Sequence, residues 1–226
     1  MSTVNYRDLR LNNITSPQFR HIFYLIFWPI YGISFFSLEQ IENVNFTDLY
    51  VPFDDLIPFC EYFLIPYFFW YIYIVWMVVY SFFYDLEIFK KYHQYLIIVC
   101  GVTCLIYLVW PNMQSLRPTE FARDNIFVET IKEMYEFDTN TNVCPSLHVV
   151  MSFAVGTAAW HSKRYSTVPW RIAFSVMTVI ISVSTVFLKQ HSIIDIYAGV
   201  ALSFIAYLIV YVDFEKIKLN KKSSTL

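Results

Sequence analysis

The sequence predicts an all-α fold: a polytopic bundle of six transmembrane helices with both termini in the cytoplasm. Three observations carry that expectation. Of 226 residues, 57% are hydrophobic and 20% aromatic, more than a soluble core of this length requires. Only 15% are charged, against roughly 25% in soluble domains. The apolar residues also come in blocks rather than in alternation, and six blocks approach the ~20 residues that cross a hydrocarbon core.

The first block, 21–38, follows a polar lead with Arg7, Arg10 and Arg20 and no pattern of a cleavable signal peptide. The second, 57–83, is long and contains Pro58 and Pro66, which predicts a kinked or interfacial turn at its start. Its run "YFFWYIYIVWMVVYSFFY" reads as mostly lipid-facing and interfacial anchoring. The third, 94–111, places Cys100 and Cys104 on one face as small packing residues. The fourth, 145–160, is short and opens on "PSLH"; blocks 169–188 and 192–212 complete the set. Neither an internal repeat nor a linker divides residues 1–226, so one domain is expected. Cys60 and Cys144 both fall near the outer surface, where a disulfide between them is geometrically conceivable.

Orientation follows from the basic residues. One side collects Arg7, Arg10, Arg20, Lys90, Lys91, Lys163, Arg164, Arg171, Lys216, Lys218, Lys221 and Lys222. The other has Arg117, Arg123, Lys132 and Lys189. The positive-inside rule puts the first set in the cytoplasm. A net charge of −2 gives no reason to expect nucleic acid as a partner. The lipid bilayer is the expected partner, and the plasma (cytoplasmic) membrane the expected location.

This topology sorts the histidines. His21, His93 and His161 fall at cytoplasmic ends, where an interfacial, solvated role is the plain reading. His148 and His191 fall at outer ends, where the two can meet. Asp195 lies four residues after His191 and shares its helix face. An Asp a turn inside a span needs a partner, and His191 is the available one. Pro145 suits a first helical turn, leaving the amides of Ser146, Leu147 and His148 to face an anion at the positive end of the helix dipole. The long outer loop 112–144 adds Arg117, a fixed fork for phosphate oxygens, beside Pro118. No Cys/His spacing resembles a zinc site.

Taken in order, "RP" at 117–118, "PSLH" at 145–148 and "STVFLKQHSIID" at 184–195 resemble the three signature motifs of the type 2 phosphatidic acid phosphatase superfamily. These are integral-membrane lipid phosphate phosphatases and phosphotransferases. The resemblance implies a site at the outer membrane face and a lipid phosphate or lipid pyrophosphate as substrate. It implies that His191 is the nucleophile, oriented by Asp195, and that His148 is the general acid. Arg117, Ser146 and the amide of Leu147 would bind the phosphoryl oxygens, and the intermediate would be a phosphohistidine. No metal or other cofactor is implied.

Three positions depart from the pattern. Trp110 stands where a lysine is usual, Leu147 where a glycine is usual, and Thr185 where an arginine is usual. Lys189, a helical turn beyond Thr185, is expected to bring its ammonium to the same phosphate. The less cationic pocket favours a phosphodiester, and with it head-group transfer of the inositol-phosphorylceramide-synthase type as the alternative activity. A transporter would place polar residues deep in several spans, whereas here they cluster at one outer edge. A non-catalytic lipid-binding relative would have no need to keep both histidines and Asp195.

Overall fold

The computed structural model describes residues 4–41 and 44–213. Lys216, Lys218, Lys221 and Lys222, used above for orientation, lie outside the described residues. The first apolar block winds as a 3-10 turn, Arg20–Ile26, that runs into α1, Phe27–Glu39. The second begins with a 3-10 turn at Glu61–Phe63 and continues as α2, Leu64–Tyr84. Pro66 therefore sits in the first turn of α2, where a missing N–H costs no helical bond.

Helix α3, Leu86–Val109, starts well before the apolar block that announced it. The Asp85 side chain caps it by accepting from the Ile88 amide at 3.4 Å, and Glu87 and Lys91 pair one turn apart at 3.6 Å. The long loop holds a helix that hydropathy alone passed over: α4, Ile126–Phe137. Asn125 caps it by accepting from the amides of Phe127 and Val128, and it buries Val128, Ile131 and Met134 along one stripe. Helices α5, Leu147–His161, α6, Val168–Phe187, and α7, Ile193–Tyr211, follow. Two short parallel strands, β1 (Thr47–Asp48) and β2 (Asn112–Met113), tie the two loops at one end of the bundle.

Among the described residues, five helical segments are long and apolar enough to cross a membrane: Arg20–Glu39, Glu61–Tyr84, Leu86–Val109, Val168–Phe187 and Ile193–Tyr211. The chain is thus an integral membrane protein. The fourth expected span is different in kind. Helix α5 has 15 residues and is only ~22 Å long, short of a ~30 Å hydrocarbon core. It packs against α2, α3, α6 and α7, and most of its side chains are buried. It is apolar all round because it is the centre of the bundle.

Two glycines permit this packing. A Cβ at Gly156 would meet Thr178 Oγ1 of α6 at 2.8 Å, and one at Gly199 would meet Val149 of α5 at 2.9 Å. The aromatic run of α2 faces mostly outward, as expected, through Phe68, Phe69, Tyr71, Trp76, Phe83 and Tyr84, while Tyr67, Trp70, Tyr73 and Tyr80, three or four apart, share a face turned to the bundle interior. One expectation needs correction: His21 and His93 are buried rather than solvated, packed among Tyr6, Trp28, Phe82 and Phe89. Cys60 and Cys144 are free thiols, as are Cys100 and Cys104.

Candidate active site

Helix α5 starts where its neighbours pin the preceding chain. The Asn112 side-chain oxygen accepts from the amides of Val143 and Cys144 at 2.9 and 2.8 Å, and its amide donates to the Cys144 carbonyl at 3.1 Å. Tyr107 of α3 donates to the Pro145 carbonyl at 2.7 Å. Ser146, with an extended backbone, is the N-cap, so Pro145 precedes the helix instead of occupying its first turn. The Ser146 amide donates to the Asp195 carbonyl at 3.2 Å and is not free for an anion. The opening amides of α5, at Leu147 and His148, have no carbonyl one turn back and remain as helix-start donors.

Helix α7 starts beside it. Asp195 Oδ2 accepts from the Ser192 amide at 3.0 Å, which caps the helix, and from His191 Nδ1–H at 3.0 Å, which sets the tautomer. The lone pair of His191 Nε2 then accepts from the Ser146 hydroxyl at 3.2 Å. His148 comes within 6.1 Å of His191, ring centre to ring centre. Its own ring lies between Tyr67 and Trp70, each 4.2 Å away, and its Nε2 has no hydrogen-bond partner among the described residues. A cavity of about 110 Å³ opens here, bordered by His148, His191, Leu147, Gln190, Asp138 and Asn142 among others.

Four of the expected residues, His148, His191, Asp195 and Ser146, thus meet at one point, with Leu147 at the cavity wall. The two expected cations stand apart from it. Arg117 donates to Gln190 Oε1, to the carbonyl of Tyr135 at 2.8 Å and to those of Asp138 and Thr139 at 2.6 and 2.8 Å. It also lies over the Tyr135 ring, 4.5 Å from its centre. The guanidinium braces the loop that frames the cavity; burial lowers its affinity for a proton, opposed by the charge of Asp138.

Lys189 corrects the expectation based on helical spacing. Helix α6 ends at Phe187, Lys189 takes a positive φ of 53°, and its ammonium donates to the Asp54 carbonyl at 2.8 Å. It does not stand a turn above Thr185. The Thr185 side chain is turned inward to the Ser182 carbonyl, and its own carbonyl accepts from the Gln190 and His191 amides. The Trp110 indole donates to Thr47 at 3.0 Å and joins the two loops.

Two acidic residues escaped sequence reasoning. Asp54, fully buried, accepts from the Ser192 hydroxyl at 2.7 Å and the Ile193 amide at 2.9 Å, so it caps α7 from outside. Asp138, at the end of α4, accepts from Tyr67 at 2.9 Å and from the Gln190 amide at 3.2 Å. Neither partner set is near in sequence, and only the Asn125 cap hinted at the helix that carries Asp138.

The assembled group can bind an oxyanion at the start of α5, present a neutral imidazole nitrogen to it, and offer a second imidazole across the cavity. A family model described as PAP2 superfamily matches residues 34–209, which takes in every site residue just described, Asp138 and its partners Tyr67 and Gln190 included. No curated protein and no solved structure gives a significant match.

Proposed function

The chain belongs to the PAP2 superfamily, and from that premise we propose that it is a membrane phosphatase acting on a lipid phosphate or lipid pyrophosphate. One observation carries the reading: the hydrogen-bonded chain Ser146–His191–Asp195, with His148 facing it across the cavity. His191 Nε2 attacks phosphorus; the P–N bond forms as the bond to the lipid oxygen breaks. The departing oxygen takes the His148 proton, and Asp195 steadies the positive charge left on the His191 ring. Water then attacks the phosphohistidine, gives its proton to His148 and releases phosphate from His191. The amides of Leu147 and His148 and the Ser146 hydroxyl hold the phosphoryl oxygens in a site already organised for them. The step as written calls for no metal ion.

In this reading α5, fourth in chain order, brings the number of spans to six, both termini face the cytoplasm, residues 1–226 act as one domain, and the site opens at the outer face of the plasma membrane. Arg117 and Lys189 serve the phosphate from behind, through Gln190 and the flanking loops. A second reading, head-group transfer, is favoured by one feature: the described residues lining the cavity include no lysine or arginine. A phosphodiester monoanion needs less positive charge than a monoester dianion.

The test is to trap the intermediate. Purified protein turning over a lipid labelled at phosphorus is expected to yield an acid-labile, base-stable phosphoprotein that His191→Ala abolishes together with turnover, a loss on the order of 10⁴ or more. Turnover that survives in His191→Ala would overturn the mechanism.

A further inference from the structure

The cavity has two chemically different walls. His148, His191 and the opening amides of α5 form the wall that suits an anion. Elsewhere the lining includes an aromatic set, Tyr31 and Phe35 from α1, Trp70 and Tyr71 from α2 and Tyr107 from α3, together with Asp138.

Asp138 has an unusual set of partners. Both donors to its carboxylate, Tyr67 and Gln190, are neutral. Arg117 bonds to the backbone carbonyl of the same residue rather than to its side chain. Burial pushes the Asp138 carboxyl above its ordinary range, against the Tyr67 hydrogen bond and the charges of His191 and Arg117. A half-buried carboxylate beside a phosphate site repels the phosphate, and two neutral donors offset only part of its desolvation. The nearby rim also withholds donors, because Thr139, Thr141 and Asn142 all direct theirs to Glu39. A cation on the ligand would satisfy the carboxylate and lie against the aromatic faces. His148 Nε2, buried and unpartnered at the same cavity, independently marks the space as one a ligand completes.

We infer that this cavity is a head-group subsite for a phosphoester of an amino alcohol. The phosphate sits at the two histidines and the start of α5, and the ammonium end lies against Asp138 and the aromatic wall. The assignment rests on the reading of His191 and His148 as the catalytic pair, and it takes the second reading above, cleavage of a phosphodiester, over the first. On such a lipid, His191 Nε2 forms a bond to phosphorus as the bond to the lipid alcohol breaks, and that alkoxide takes the His148 proton. The amino-alcohol phosphate stays on His191 until a hydroxyl, of water or of an acceptor alcohol, attacks phosphorus. The P–N bond then breaks, and the hydroxyl proton returns to His148.

Two measurements test the subsite separately from the chemistry. The first is calorimetric binding of phosphoethanolamine and of glycerol 3-phosphate to detergent-solubilised His191→Ala protein. Phosphoethanolamine is expected to bind at least tenfold more tightly, and adding Asp138→Asn, which keeps an oxygen for Tyr67 and Gln190, is expected to erase the difference. Equal binding, a preference for glycerol 3-phosphate, or a preference that survives Asp138→Asn would overturn the proposal. The second is diacylglycerol release by the wild-type protein from micelles of phosphatidylethanolamine, phosphatidylglycerol or phosphatidic acid. At least tenfold faster release from phosphatidylethanolamine is expected; faster release from either other lipid would overturn the subsite while leaving the histidine chemistry standing. Selective binding without turnover of any lipid would do the reverse, keeping the subsite and removing the catalytic reading.

Discussion

Two pairs of histidines are buried at opposite ends of this bundle, and their surroundings differ in a way that separates a packing residue from a reactive one. At the end where α3 begins, His93 lies among Trp28, Phe89 and Tyr24, accepts from the Trp28 indole at 3.2 Å and donates to the Phe89 carbonyl at 2.9 Å. The Tyr6 hydroxyl donates to the Phe82 carbonyl at 3.0 Å and pairs with His21 Nε2 at 2.7 Å. At the other end His148 is also walled by aromatic rings, and all four histidines are at most 8% exposed. Burial and aromatic packing therefore do not distinguish the pairs. What distinguishes them is a carboxylate on His191, the open start of a helix beside it, and a cavity between the two rings. Those three features supply a fixed tautomer, a place for an anion and room for a reaction.

The comparison can be broken most sharply at His148. As general acid its replacement in His148→Asn is expected to lower kcat by about 10²–10⁴ with KM little changed. Steady-state kinetics showing less than a tenfold loss would put His148 in the same class as His21 and His93. The next effect concerns the spacing that brings the second pair together. Gly199→Val drives new atoms into Val149 of α5 and is expected to destabilise the protein by about 1–3 kcal/mol, with a lower melting point and lost activity in the protein that remains folded. Gly101→Ala, in the interior of α3 with nothing within 4 Å of its Cβ position, is the control and should leave activity unchanged without lowering the melting point. Full activity in folded Gly199→Val would mean that close α5–α7 contact does not set the site. The smallest effect is expected at the first pair: His93→Phe leaves the Trp28 indole without its acceptor, costs about 1 kcal/mol, and leaves turnover within about twofold. A large loss of turnover with an unchanged melting point would make that end functional as well.

Much of this was legible in the sequence, for identifiable reasons. His191 and Asp195 are one helical turn apart, so their meeting needed no tertiary information. Ser146 and His148 sit at the start of an apolar run, where a helix end and its free amides were expected. Lys189 and Arg117 were misplaced because their directions depend on where α6 stops and on where the end of α4 and the residues after it lie, and neither is a local property. Asp54 and Asp138 went unread because the groups they bind lie far along the chain. The aromatic stripe of α2 looked uniform in composition, and only packing against α5 gave it an inner and an outer face.

By itself the sequence determined the membrane-spanning helical character, the order of the motifs and the local pairing of His191 with Asp195. Those follow from hydropathy, which is a property of each segment, and from helical periodicity. Tertiary structure alone decided that α5 is the short central helix, that Arg117 braces a loop, and that Asp54 caps α7. It also decided that the cavity pairs two histidines with an aromatic and acidic wall. Each of these depends on which backbone carbonyls and side chains from distant segments arrive at the same point, and a buried polar group takes whichever partner the packing brings within reach.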